Sequence, residues 1–557
     1  MDRQLGLLLG RYLGFALTLT SLAVTPLWSL DPINPIKMIL VAAFGFAVFA
    51  AMLVNRRDID LKSFKSLLAL SIMFVLWLFV AFIASDAGYA SQFFGANGRN
   101  TGLITYIGFV FLLVGAAVAS DEATLKKIYL AAATVGSASV CYGLLQAIGA
   151  DPFDWDNPFS PVFGFLGNPN FQSSLLGILG SLAFAQMISP TSTLRNRSLL
   201  SMYLIFSLFV ILETNSQQGF LVFLVGVSVV FAIYAHANFG SVINYGYWVV
   251  ISVSFIAVLS GILNRGPLAS LLYKSSVTAR GDYWLAGWTM TLEHPFFGVG
   301  IDSYGDWYRR SRTLEATLRF GPGVVSNAAH NVYLDLSSYG GFALLFIYLA
   351  LMVLVVVSAY KVVKRNQSYN PAFAGIVAGW VGFQAQSIIS INQIGLAIWG
   401  WIFSGLIIGY EINTRAVTID AIKKKPIKKE RQVVQSSPST ILAIFVGVLL
   451  GVLVSMPPYL ASSKYKNALE SGNPTNVREA AYIWPMESNR MTQVARTLNE
   501  NNFEKEGYEV ALDAVEKYPN DYNTWATLLS MKKVTDAQKV EIMIELKRLD
   551  PHNPELK

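Results

Sequence analysis

Roughly thirteen blocks of about 20 mostly apolar residues recur along this chain, each long enough for one helical crossing of a bilayer core. They begin near Leu5, Ile36, Leu67, Thr101, Lys126, Phe171, Ser198, Gln217, Tyr245, Asn331, Ala372, Ile394 and Ile441. A lone segment in lipid must satisfy its backbone internally, so every block is expected to be helical. The composition agrees. Hydrophobic residues make up 54% of the 557 positions and charged residues only 14%, against about 25% charged in ordinary soluble chains. A soluble enzyme and general disorder are both excluded, and a single Cys rules out a disulfide framework. The first block lacks a clean small-x-small cleavage site and more spans follow it, so it reads as a span and not as a removed signal. The expected fold class is all-α: a polytopic membrane protein with roughly 13 transmembrane helices, a large external loop and a C-terminal tail of helical-repeat type.

Lys and Arg in short loops set the orientation. One alternate set of loops carries Arg56, Arg57, Lys62 and Lys65, then Lys126 and Lys127, then Arg195 and Arg197, then Lys361, Lys364 and Arg365, and finally the run Lys423–Arg431. The other set is nearly bare, with Arg99 as its exception. The first set is therefore expected in the cytoplasm, with the N-terminus inside and, after an odd number of spans, the tail outside. The excess of 42 Lys and Arg over 35 Asp and Glu is then an orientation signal, and no nucleic-acid partner is expected. Membrane lipids are partners by construction, and the Lys423–Arg431 run suits either a solvated loop or anionic headgroups.

These features divide the chain into an N-terminal bundle (1–263), a large external loop (264–330), further spans (331–411), a basic linker (412–440), a last span (441–458) and an external tail (459–557). In the tail, Pro485 and Pro519 are 34 residues apart and Pro551 follows after 32. A period near 34 matches the tetratricopeptide repeat, which would offer a concave surface to a protein partner.

The polar candidates cluster on the external side. His330 lies where the large loop meets a helix, at the membrane surface; a neutral imidazole there would serve as a base or an acceptor of a hydrogen bond. Arg280 is followed by Trp284 and Trp288 at i+4 and i+8, one face of an interfacial helix. A guanidinium matches phosphate with a planar fork of donors and would stabilise a diphosphate leaving group as it gathers charge. Arg265, Arg309, Arg310, Arg312 and Arg319 would give the loop a positive field. His294 sits in the turn EHPFFGVG. Glu213–Gln218 (ETNSQQ) forms a polar knot, and Asn168-Pro169-Asn170 suits a helix start, with Asn170 as its cap. No His or Cys cluster has metal-ligand spacing, and no cofactor is expected.

Five pieces occur in an order that resembles the O-antigen ligase family, which groups O-antigen ligases, O-antigen polymerases and bacterial protein O-oligosaccharyltransferases. They are GRNTGLITYI (98–107), GFLGNPNFQSSLLG (164–177), TNSQQGFLVFLVG (214–226), ARGDYWLAGWTMTLEHPFFGVG (279–300) and AHNVYLDLSSYGG (329–341). The resemblance implies transfer of a glycan from undecaprenyl diphosphate to an acceptor hydroxyl of a glycan, lipid or protein, on the outer face of the cytoplasmic (inner) membrane, without a metal. It implies that His330 and Arg280 are catalytic, positioning the acceptor and binding the diphosphate. Where many members carry Ser-Arg-Gly, this chain reads Gln217-Gln218-Gly219, so Gln218 or Arg99 would replace a second diphosphate arginine. Asn170, Trp284, His294 and Asn331 complete the expected substrate contacts. A lipid or solute transporter and a non-catalytic scaffold acting through the tail are the alternatives from other classes.

Overall fold

The computed structural model describes residues 3–155, 162–273, 275–366, 368–421 and 437–556, and all regular structure among them is helical. Eleven helices are long and apolar enough to cross a membrane. Two more fill the remaining blocks, Leu103–Ala119 and Pro169–Met187, so thirteen helices stand where thirteen blocks were expected. The last two are well enclosed: 16 of 17 residues of Leu103–Ala119 and 15 of 19 of Pro169–Met187 are buried. They face protein on all sides, which is why one can be short and the other can carry Gln172, Ser173 and Ser174. The Ser241–Ile262 helix is the opposite case, with Gly261 its one buried residue.

Small residues set the helix contacts, as they do where lipid is as apolar as the side chains. Gly447 and Gly451 of the Pro438–Ser455 helix lie against the Asn34–Val54 helix; a Cβ at either would sit 2.6 Å from the carbonyl oxygen of Phe46 or Ala42. Gly405 and Gly409 of the Ile394–Ala421 helix meet Leu113 and Ala117 in the same way.

Contacts between the inter-helix segments gather them onto two faces. On one face Asp31 N–H donates to Ser462 Oγ, Asn97 to Glu487, Arg99 to the Asn327 carbonyl, and Arg312 to Asp550. The first loop, the 86–100 segment, the large loop and the tail are therefore together. On the other face Tyr410 and Asn370 meet Glu122, and Arg365 lies 3.7 Å from Glu411. The Lys423–Arg431 run lies outside the described residues. The Ile394–Ala421 helix continues past the expected boundary at residue 411.

Two expectations change. The block beginning near Asn331 is not one straight span. Gly340 and Gly341 leave helical geometry, with Gly341 at φ +67, so Val332–Tyr339 is a separate helical stub and Phe342 begins the crossing. A Cβ at Gly341 would run into the Pro295 and Phe296 carbonyls, and the freed backbone is satisfied by neighbours: Phe342 N–H donates to Pro295 O, and Trp77 Nε1 to Gly340 O. Phe342–Arg365 still spans about 36 Å at 1.5 Å per residue, enough for a crossing. The large loop is itself mostly helical, as Ala269–Leu272, Ser275–Glu293, Tyr304–Ser311 and Leu314–Phe320.

The tail forms six helices, beginning with Pro457–Glu470 and Pro474–Ala480. Two hairpins follow, Ser488–Glu500 with Glu504–Lys517 and Tyr522–Leu529 with Asp536–Leu549. They share one core that includes Met491, Val510, Leu528 and Ile542.

Candidate functional site

The polar face between the large loop and the Val332 stub holds a buried charge network. Arg99 is 4% exposed. Its Nε lies 3.0 Å from Asp302 Oδ1, its Nη1 donates to the Asn327 carbonyl at 2.9 Å, and its Nη2 donates to the Tyr339 hydroxyl at 3.0 Å. Asp335 stands 3.9 Å from the same Nη2. Asp302 also accepts from Tyr339 Oη, Thr101 Oγ1 and Ala96 N–H. Burial works against the Arg99 charge, but Asp302, Tyr339 and Asp335 outweigh it and raise its pKa. Arg99 is thus a buried cation with carboxylate partners inside the fold.

His330 stands just beyond this network. Arg99 holds the Asn327 carbonyl, and Asp335 Oδ1 accepts from Ala329 N–H at 2.8 Å. The segment entering His330 is therefore fixed at two points, and His330 adopts φ +52, a conformation that non-glycine residues hold only when their surroundings impose it. Its ring is half-buried and stacks on Tyr283, with centroids 5.4 Å apart. Burial first, then the charges of Arg280 and Arg99, lower its pKa to about 4. The imidazole is therefore neutral at pH 7, with burial the main reason. The helix starts two residues later, and Asn331 is its cap.

Arg280 sits one turn before Tyr283 on the Ser275–Glu293 helix, near enough for its charge to act on His330. Burial lowers its own pKa. Its Nε and the Trp284 Nε1 are buried without a hydrogen-bond partner. Trp288 is exposed and meets Phe342 edge-on. The expected Arg280-Trp284-Trp288 helix is present, and it brings Arg280 and Tyr283 to His330.

The remaining expected contacts divide. Gln218 begins the Gln218–Asn238 helix, is 6% exposed, and neither atom of its amide is bonded. It has donor and acceptor capacity to give. Asn170 is not the cap of its helix: Asn168 is, accepting from Asn170 N–H, and Asn170 Oδ1 accepts from Ser216 Oγ at 2.7 Å. Asn331 Oδ1 is used in capping Tyr333 and Leu334 N–H. His294 packs edge-on to Trp307 at 4.6 Å. It lies at the far end of the Ser275–Glu293 helix, about 20 Å from Arg280 along the axis at 1.5 Å per residue. Of the five loop arginines, Arg265 is exposed and the other four are engaged within the fold. Arg309 and Arg312 pair with Asp550, Arg319 with Asp282, and Arg310 donates to Asn520 O.

Asp302, Asp335, Tyr283 and Tyr339 were not singled out by sequence. Asp335 carried a usable signal, a carboxylate five residues after His330 inside an otherwise apolar block, where ionisable groups are costly. Among the described residues no group of three or more His, Cys, Asp or Glu is placed to hold a metal ion.

Fold and site together define a multi-pass, all-helical membrane protein with a polar site at one face, built on a broken helix and a helical loop. Residues 202–349 match the family model described as O-antigen ligase. The match includes Gln218, Arg280, Trp284, His294, His330 and Asn331; Arg99 and Asn170 lie before it. No curated protein matches the chain.

Proposed function

We propose that this protein transfers an oligo- or polysaccharide from undecaprenyl diphosphate to an acceptor hydroxyl on the outer face of the cytoplasmic membrane. The observation that carries this is the stacking of His330 on Tyr283, with the charge of Arg280, one turn earlier on the same helix, acting on the imidazole, within the stretch that matches the O-antigen ligase model. Arg280 meets the diphosphate of the donor. The acceptor oxygen attacks the anomeric carbon from the side opposite the diphosphate, and the configuration inverts. The carbon–oxygen bond to phosphate breaks, its electron pair stays on the diphosphate, and the hydroxyl proton passes to the His330 imidazole. Arg280 stabilises the departing charge more than the bound ground state. Gln218, with its unbonded amide, supplies a neutral donor where relatives carry arginine.

A base with a pKa near 4 is weak, and donor binding acts on the part of this that comes from charge, not on the larger part that comes from burial. The diphosphate brings negative charge against Arg280, one of the two cations that depress His330. Its arrival raises the basicity of the imidazole when a proton must be taken. Charge neutralisation by Arg280 serves in place of a metal.

The N-terminus is assigned to the cytoplasm and the loop and tail to the outside. The tail is assigned to the tetratricopeptide type, supported by hairpins that start at Ser488 and Tyr522, 34 residues apart, and it is available to a protein acceptor or partner. Replacing His330 or Arg280 by Ala and examining the membrane lipids tests the proposal. Accumulated undecaprenyl-linked glycan at normal protein level supports transfer. Substrate stranded on the inner leaflet would point to a transporter, and sensitivity only to tail deletion would point to a scaffold.

A further inference from the structure

The tail is tied to the large loop by one buried carboxylate. Asp550 follows the Asp536–Leu549 helix and has no exposure. It accepts from Arg312 Nη2 at 2.7 and 2.9 Å and from Arg309 Nη1 at 3.0 Å. Both arginines also hold the loop backbone. Arg309 and Arg312 donate to the Pro322 carbonyl at 2.8 and 3.1 Å, and Arg312 to the Val324 carbonyl at 3.0 Å. Pro322–Val324 runs directly into the Ser326–His330 segment. A second route starts from the same arginines. Arg309 belongs to the Tyr304–Ser311 helix. Tyr304 of that helix donates its hydroxyl to the Tyr283 carbonyl at 2.7 Å, and the Tyr308 ring meets the Tyr283 ring edge-on at 5.7 Å. Tyr283 in turn stacks on His330.

We propose that Asp550 is a positioning residue for His330, so that the tail completes the transfer site from outside the ligase domain. A buried carboxylate facing two guanidiniums adds little net stability, but removing it leaves two desolvated cations with no counter-charge. They would turn toward water, releasing Pro322 and Val324 on one route and the Tyr304–Ser311 helix on the other. Both releases reach His330, one through its backbone and one through the ring that covers it. The importance of His330 rests on the transferase assignment; its placement by Asp550 does not.

The test reads placement without any donor. The chain has four histidines, His236, His294, His330 and His552. Membranes containing the full-length protein are treated with diethyl pyrocarbonate, and the modification rate of His330 is followed by mass spectrometry relative to His236, on the opposite face. In Asp550→Asn the relative rate should rise about tenfold or more, as local opening replaces a buried ion pair. Asp550→Glu should recover most of the protection. Arg478→Ala, which breaks an exposed pair with Glu509 inside the tail, should change nothing. Transfer by Asp550→Asn should fall in kcat with KM little altered. If Asp550→Asn does not accumulate, Arg309→Gln answers the same question, because it removes one guanidinium and leaves Arg312 on Asp550. An unchanged His330 rate in the variant that folds overturns the proposal, as does faster modification with full transfer. If the wild type shows no transfer at all, the catalytic assignment falls while the modification rates still decide the placement.

Discussion

Burial, with Arg280 and Arg99, pushes the His330 pKa down to about 4, and this makes a prediction with a definite sign. The folded protein resists protonating this ring, so its contribution to stability is present above pH 6.5 and is lost as pH falls through about 4. The kcat/KM profile, which reports free enzyme, should show no limb near 6.5 and should fall only toward about pH 4. The limb in kcat should lie higher, because bound diphosphate offsets Arg280; coincident limbs would contradict the charge coupling. Arg99 makes a different case. Asp302→Ala leaves a buried guanidinium short of its closest carboxylate and should cost about 3–5 kcal/mol, read as a fall in Tm in detergent. Arg99→Met combined with Asp302→Leu should recover much of that. The sequence showed Arg99 as the lone cation in a set of loops otherwise bare of positive charge. It did not show Asp302, some two hundred residues away in sequence, as the partner of Arg99. A partner brought in by folding leaves no local mark.

Among the elements, the broken helix at Gly340 and Gly341 matters most for the site. It lets the stub carrying Asp335 and Tyr339 end against the loop while Phe342 onward crosses the membrane. Hydropathy sums residues without regard to φ, so the block beginning near Asn331 read as one span, and the glycine pair was visible only as letters. Gly341→Ala must push the Pro295 and Phe296 carbonyls aside at positive φ, costing about 1–3 kcal/mol and moving the site. Gly340→Ala meets only the Leu344 side chain, with φ −139, and should be milder. Thermal unfolding and transfer rate of the two variants, side by side, check the order; equal losses would argue against a hinge at Gly341. The thirteen helices themselves were legible because each must cover the bilayer thickness with apolar residues. The loop helices were less so, since their stability comes from packing on neighbours and not from a continuous apolar stripe.

For the molecule as a whole, one face collects the 86–100 segment, the large loop and the tail, and the other collects Glu122, Arg365 and Glu411. Labelling of single cysteines in the loop and tail should succeed from outside the cell, and labelling near Lys423 only after permeabilisation. The reverse pattern would place the site in the wrong compartment for an exported glycan. The tail's helical character was readable in its polar sequence, but its grip on the loop through Asp550 was not, because that contact joins residues more than two hundred positions apart. The most direct measurement uses purified protein in liposomes with a polyprenyl-diphosphate-linked glycan and a hydroxyl acceptor. Each new glycosidic bond should appear with one released polyprenyl diphosphate, and both should vanish together in His330→Ala and Arg280→Ala. Donor consumed at the wild-type rate by those variants, or glycan moved across the bilayer with its diphosphate bond intact, would contradict the account.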